Sequence, residues 1–181
     1  AGTYNVSLIA ANSFGSNMVT ESNYIAVGNY LPGFTASYYY GQTWTNLAGM
    51  RTDPEIRYSD SGSQPAEPSL ETNWAIPMTG RTTNFSVTWD GYLRIAANDS
   101  YTFSLRSDDG SSLAIDGTTI ISDLFDHSPT TYTGTTILAP GYHHIVVNMY
   151  QNGGYAVARL QYSNTTMALQ DVTDVWHVKV S

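Results

Sequence analysis

Apolar and polar residues alternate with a period of two through most of this chain, and no long segment shows the spacing of a helix. The pattern is clearest in the stretch YTFSLRSDDGSSLAIDG, which begins at residue 101. It predicts two strands flanking a tight loop, with apolar faces formed by Tyr101, Phe103, Leu105, Leu113 and Ile115. Glycine and Asn-Gly-Gly turn signals recur at short intervals along the chain. Together these signals predict an all-β fold, either a sandwich or a barrel.

The composition excludes several classes of partner. Only 12% of the residues are charged, the formal net charge is -8, and there is no run of Lys or Arg. Such a chain is not expected to bind nucleic acid or an anionic membrane surface. No apolar run reaches the length of a membrane span, and the absence of Cys excludes disulfides and thiolate metal sites. A chain poor in charge and rich in Ser and Thr is typical of extracellular and cell-surface β proteins.

The loop within the stretch at residue 101 places two carboxylates, Asp108 and Asp109, next to each other. Neighbouring anions repel, so both are either left in water or used to bind a cation. A third use is structural, because aspartates in loops often accept hydrogen bonds from backbone N–H groups. The residues alone leave these alternatives open.

The first 28 residues carry a separate pattern. Two alternating segments, residues 3–11 and 18–27, are joined by residues 12–17, which predicts a β-hairpin. Its sequence resembles the last two strands of a PKD domain, an immunoglobulin-like module of surface proteins. We therefore expect residues 1–28 to be a partial PKD-like hairpin or linker. Because two strands alone are marginally stable, the hairpin is either the end of a truncated domain or an addition to another subunit's sheet.

The rest of the chain resembles the PA14 family across about residues 30–181. The segments that carry the resemblance are GFTASYY from Gly33, RTDPEI from Arg51, FSVTWDGYL from Phe85, the stretch at residue 101, GYHHIVVNMYQNGG from Gly141 and ARLQY from Ala158. Their order and spacing match the family. The resemblance implies an antiparallel β-sandwich of two sheets over residues 29–181.

The resemblance also implies a calcium site. In family members that bind sugars, an adjacent Asp pair, often joined by a cis peptide, and an Asn on a second loop hold Ca²⁺. The matching residues are Asp108, Asp109 and Asn152. These are hard oxygen ligands of the kind that Ca²⁺ accepts, and a sugar's hydroxyls would complete the shell.

Two further residues are candidates for the ligand pocket. Tyr155 follows the Asn loop and is either a ring that stacks on a sugar or a strand-edge aromatic. Asp126 lies in a second oxygen-rich loop, residues 123–127, which contributes a wall of the pocket, binds a second cation or is simply solvated.

No catalytic motif is evident, and adjacent carboxylates suit chelation better than they suit the two sides of a scissile bond. We predict a non-catalytic extracellular or cell-surface module that binds glycans through calcium. The alternative is a structural subunit of an extracellular filament or surface layer, a homo-oligomer assembled through strand contacts of the N-terminal hairpin. Four glycosylation sequons, at Asn5, Asn84, Asn98 and Asn164, occur about as often as chance predicts and decide nothing.

Overall fold

The computed structural model describes residues 2–13, 15–27, 30–59 and 74–178. The predicted domain boundary at residues 28 and 29 lies outside these ranges. The described elements are β1 (Gly2–Asn12), β2 (Gly15–Val27), β3 (Tyr30–Pro32), β4 (Phe34–Tyr40), β5 (Asn46–Asp53), β6 (Arg57–Ser59), α1 (Ile76–Thr79), β7 (Phe85–Ile95), β8 (Asp99–Asp108), β9 (Ser111–Ile115), β10 (Thr118–Asp123), β11 (Thr130–Leu138), β12 (Gly141–Gln151), β13 (Val157–Ser163), β14 (Gln170–Asp171) and β15 (Val175–Val178).

The chain divides into two compact units, one formed by the N-terminal strands and one spanning Pro32–His177. In the first unit, β1 and β2 form an antiparallel two-stranded sheet. Pairing continues to Asn12 opposite Gly15, so the connection is shorter than the six residues that the sequence pattern predicts. The hairpin is therefore present, and its relation to PKD domains remains a prediction.

The remaining strands form two antiparallel sheets. Eight strands form the first, in the order β10-β9-β12-β7-β15-β3, with β4 pairing to β7 and β5 to β4. Five strands form the second, in the order β11-β8-β13-β14, with β6 pairing to β13. The predicted all-β sandwich is confirmed. None of the described helices is long and apolar enough to cross a membrane.

The predicted apolar faces of β8 and β9 lie in the core between the sheets. Tyr101, Phe103, Leu105, Leu113 and Ile115 are all buried there. Alternation places every second side chain inward, so burial of one set of residues in each strand follows directly from the sequence.

The core also contains a buried anion, Asp53 at the end of β5. One of its oxygens accepts hydrogen bonds from the Tyr38 hydroxyl at 2.7 Å and the Trp89 indole at 2.8 Å. The other accepts from Nε of Arg51 at 2.5 Å. A buried carboxylate is tolerated when its oxygens are paired in this way. This network connects β4, β5 and β7.

The turn between β8 and β9 passes from one sheet to the other. β8 pairs with β11 and β13 in the five-stranded sheet, whereas β9 pairs with β10 and β12 in the eight-stranded sheet. Residues 108–110 therefore bridge the two layers at one end of the sandwich. The next turn is an ordinary hairpin, in which Asp116 and Gly117 both have positive φ, as expected for a two-residue loop between β9 and β10.

Candidate functional site

The turn at Asp108 and Asp109 is fixed to the end of β12 by reciprocal backbone hydrogen bonds. The N–H of Asp109 donates to the Tyr150 carbonyl at 3.2 Å, and the N–H of Tyr150 donates to the Gly110 carbonyl at 3.0 Å. The peptide bond between the two aspartates is cis, as the family resemblance implies. The turn and the loop after β12 therefore meet at the same end of the sandwich.

Gly110 allows a third loop to approach the turn. A Cβ atom at this position would lie 2.5 Å from Tyr150, 2.9 Å from the Asp123 carbonyl and 2.9 Å from Cα of Leu124. Only a residue without a side chain fits such a contact. The loop between β10 and β11, residues 124–129, is thereby held against the Asp pair.

The Asp109 carboxylate connects these loops through backbone amides. Its Oδ1 accepts a hydrogen bond from the N–H of His127 at 3.0 Å. Its Oδ2 accepts one from the N–H of Asn152 at 2.8 Å. Asp109 therefore performs the structural role that was one of the alternatives for an aspartate in this loop. Each oxygen keeps a second lone pair for another ligand.

Asp108 has different surroundings. It is 7% exposed, and no donor among the described residues reaches its carboxylate. Burial and, secondarily, the neighbouring charge of Asp109 raise the pKa of Asp108 to about 6, although His127 opposes the shift. Above that pH the side chain is an anion to which no described residue donates a hydrogen bond.

Asp126 is hydrogen-bonded to the end of β12 and to the loop that follows it. Its Oδ1 accepts a hydrogen bond from the Tyr150 hydroxyl at 2.7 Å, and its Oδ2 accepts one from Nδ2 of Asn152 at 2.7 Å. These two hydrogen bonds hold the pKa of Asp126 below its usual value. Burial raises the pKa of Tyr150, and its hydrogen bond to Asp126 adds to the shift.

Asn152 joins all of the loops at this end. Besides its hydrogen bonds to Asp109 and Asp126, its Oδ1 accepts from Nε2 of Gln42 at 2.7 Å, on the loop between β4 and β5. Its backbone carbonyl accepts from the N–H of Asn84 at 3.1 Å. Every polar group of Asn152 is therefore used.

Two exposed aromatic rings lie on these loops. Tyr155, three residues after Asn152, is 57% exposed, and Phe125, next to Asp126, is 76% exposed. Neither ring packs against another aromatic ring in the part of the chain that the structure describes.

The donor set fits a hard cation of the calcium type. Within the described residues, no three side chains of His, Cys, Asp or Glu lie close enough to hold a metal ion. Two carboxylates alone do not fill a Ca²⁺ shell of six to eight oxygens, so Asn152, backbone carbonyls and ligand hydroxyls would have to contribute. The observation that favours such an ion is Asp108, whose carboxylate lies beside that of Asp109 and has no hydrogen-bond donor among the described residues.

A profile of the PA14 domain matches residues 31–174. This chain belongs to the PA14 family. A search of curated protein sequences gave no significant match.

Solved structures show the same PA14 fold. An anti-sigma factor domain-containing protein from Clostridium clariflavum matches with a TM-score of 0.67 and 22% identity, over 82% of this chain and 48% of that protein. A PA14 sugar-binding domain from an RTX adhesin matches with a TM-score of 0.61 and 21% identity, over 78% of this chain and 94% of that domain. The Epithelial Adhesin 6 A domain from Candida glabrata was solved in complex with Galb1-3GlcNAc. It matches with a TM-score of 0.64 and 13% identity, over 84% of this chain and 89% of that domain. This chain spans about half the length of the first of these proteins.

The structure of this PA14 domain brings together some of the residues that the sequence predicts for the site, but not all of them. Hydrogen bonds connect Asp109, Asn152 and Asp126, and Asp108 adjoins them through the turn. Among the described residues, no hydrogen bond or ring contact joins Tyr155 to them. Sequence reasoning missed Gln42, Tyr150 and His127. Tyr150 lies two residues before Asn152, so its position in the sequence could have indicated it. Gln42 is 110 positions from Asn152, and no motif around it indicates a role in the site.

Proposed function

We propose that this PA14 domain is a non-catalytic, calcium-dependent glycan-binding module of an extracellular or cell-surface protein. The observation that carries the proposal is Asp108, a residue 7% exposed at the meeting point of the loops, whose carboxylate has no hydrogen-bond donor among the described residues. A Ca²⁺ ion would neutralise it together with Asp109. The ion would also offer open coordination positions to the hydroxyls of a sugar.

Two further observations support a sugar as the ligand. The RTX adhesin domain and the Epithelial Adhesin 6 domain, which share this fold, are sugar-binding proteins by their descriptions. Tyr155 and Phe125 present exposed rings on the loops that carry Asn152 and Asp126. Aromatic rings of this kind stack on the apolar faces of sugar rings.

The site does not favour catalysis. Asp109 uses both of its oxygens to fix backbone amides of other loops, and Asp126 uses both of its oxygens on Tyr150 and Asn152. Carboxylates held in this way keep a site rigid. They are poorly suited to the exchange of protons with a substrate that a glycosidase pair performs.

The proposal is tested by glycan-array binding in calcium and in a chelator. We expect binding to defined glycans only in calcium, and loss of binding in a variant that carries Asp108→Asn and Asp109→Asn. The matched control is Glu55→Gln, which removes a carboxylate from the connection between β5 and β6 and is expected to bind as wild type does. Equal binding in calcium and in chelator would refute calcium dependence, and no binding to any glycan would refute the ligand class.

The N-terminal hairpin favours a second candidate function, that of a structural subunit. Its exposed large apolar side chains are Leu8, Ile9, Met18 and Val19. Leu8 pairs with Val19 and Ile9 with Met18, so the two pairs lie on opposite faces of the hairpin. Apolar surface on both faces is unusual for a strand pair that stays in water.

We propose, as this second candidate, that the hairpin adds to a sheet of another copy of the chain. Multi-angle light scattering of the full chain at high concentration is expected to show large assemblies that disappear when residues 1–28 are deleted. A full chain that remains monomeric would refute this candidate and would leave the glycan-binding proposal unaffected.

A further inference from the structure

The side-chain amide of Asn152 is held at both ends. Its nitrogen donates to Asp126 at 2.7 Å, and its oxygen accepts from Gln42 at 2.7 Å. An Asn amide has two orientations related by a flip, which exchange a donor for an acceptor. Only the oxygen end can bind a hard cation, so the choice of orientation decides whether Asn152 can serve as a ligand.

Asp126 determines that orientation by its chemistry. An ionised carboxylate only accepts hydrogen bonds, and its two oxygens face the Tyr150 hydroxyl and the Asn152 amide. Both of these hydrogen bonds use Asp126 as the acceptor. The flipped orientation would place the Asn152 oxygen against this anion and would leave two acceptors facing each other.

Gln42 complements this arrangement from the opposite side. Its Nε2 donates to the Asn152 oxygen, and because a glutamine amide can itself flip, Gln42 matches the orientation that Asp126 sets. The two partners come from separate loops, between β4 and β5 and between β10 and β11. Asp126 sets the orientation, and Gln42 adds a second hydrogen bond that is compatible with it.

We propose that Asp126 is a positioning residue rather than an ion ligand, and that Asp126 and Gln42 together hold Asn152 with its carboxamide oxygen as the end available to the cation. This inference deepens the proposed function of the same site and rests on it for the identity of the ion. It gives Asp126 a role other than the one predicted for it, because Asp126 meets the nitrogen end of the Asn152 amide and not the oxygen end that a cation would use. The Asn152 oxygen keeps a second lone pair beside the Gln42 hydrogen bond.

A double-mutant cycle on calcium affinity separates positioning from direct ligation. Removing an outer partner of a ligand commonly weakens metal binding about 10- to 100-fold, and we expect this loss for Asp126→Ala. In an Asn152→Ala background, we expect Asp126→Ala to weaken calcium binding by less than about 3-fold, because the residue it positions is gone. Equal losses in both backgrounds, or no loss in the wild-type background, would overturn the proposal.

The matched control for this cycle is Asp99→Ala. Asp99 is also a surface carboxylate that accepts hydrogen bonds from a side chain, Thr165, and from backbone N–H groups, and its pKa is lowered for the same reason. It lies at the start of β8, at the other end of the strand from Asp108. We expect its removal to leave calcium affinity unchanged.

A metal-free measurement tests the orientation independently of calcium. In chelator-treated, ¹⁵N-labelled protein, the side-chain NH₂ pair of Asn152 is assigned by its disappearance in Asn152→Ala. We expect these resonances to shift in Asp126→Ala and to remain in place in Asp99→Ala. If they are unchanged in Asp126→Ala, Asp126 does not orient Asn152. If they shift but wild-type protein binds no calcium, the positioning stands and the proposed ion is wrong.

Discussion

Asp108 and Asp109 are adjacent and chemically identical, yet their surroundings give them different properties. Asp109 accepts two backbone N–H groups from other loops, whereas Asp108 is buried with no donor among the described residues. The sequence identifies the pair but cannot assign these roles. The difference arises from contacts with His127 and Asn152, which are 18 and 43 positions away.

The first prediction concerns pH. The pKa of Asp108 is raised to about 6, so calcium must displace a proton from it below that pH. We expect calcium affinity to be about 10-fold weaker near pH 5 than near pH 7.5, as calorimetric titration would measure. Asp108→Asn should remove most of the binding and with it this dependence. Equal affinity at the two pH values would contradict the assignment.

A fall in pH weakens calcium binding, but through the same raised pKa it stabilises the ion-free protein. A raised carboxylate pKa means that the folded state binds more protons than the unfolded state between about pH 4 and pH 6. This group therefore makes the ion-free protein more stable as the pH falls through that range. In chelator, Asp108→Asn should remove this contribution, which urea unfolding at several pH values would measure.

The second prediction concerns Gly110. Replacing it with Ala places a Cβ within 2.9 Å of Tyr150, the Asp123 carbonyl and Leu124, so the loops must separate. We expect destabilisation of about 1–3 kcal/mol by urea unfolding, together with weaker calcium binding. The matched control is Gly153→Ala, since no atom lies within 4 Å of a Cβ there and φ is not in the left-handed region. Similar behaviour of the two variants would show that the close approach does not hold the site together.

The individual strands can be predicted from the local alternation of apolar and polar residues. The assignment of each strand to one of the two sheets cannot. Alternation predicts the strands on both sides of the Asp pair and the faces they bury. It does not reveal that β8 and β9 belong to different sheets. A strand that pairs with the preceding strand and a strand that crosses to the other sheet show the same alternation of apolar and polar residues. That crossing places the Asp turn at the end of the sandwich, where other loops can reach it.

The third prediction concerns the buried network that joins β4, β5 and β7. Asp53 accepts hydrogen bonds from Tyr38, Trp89 and Arg51 and is 1% exposed. Replacing it with Ala leaves the charge of Arg51 and two buried donors without this acceptor, so we expect a loss of about 3–5 kcal/mol in the free energy of unfolding. Glu55→Gln, two residues further along, is expected to change it by less than about 0.5 kcal/mol. A small effect of Asp53→Ala would show that the network is not needed to join β4, β5 and β7.

At the scale of the whole molecule, the sequence predicted the fold class and the family, and it predicted the candidate site only in part. Ordered motifs spread over most of the chain identify a PA14 domain, because a family fold constrains many positions at once. The site's connections depend on single long-range contacts such as Gln42 to Asn152, which leave no periodic trace in the sequence. The relation of residues 1–28 to PKD domains remains a prediction.

The central claim is that the loops at one end of this sandwich share a calcium ion through Asp108. Isothermal titration of calcium into chelator-treated protein tests it most directly. We predict a saturable heat with one site per chain in wild-type protein, and its loss in the variant with Asp108→Asn and Asp109→Asn. No heat in the wild type, or an unchanged heat in the variant, would contradict the claim.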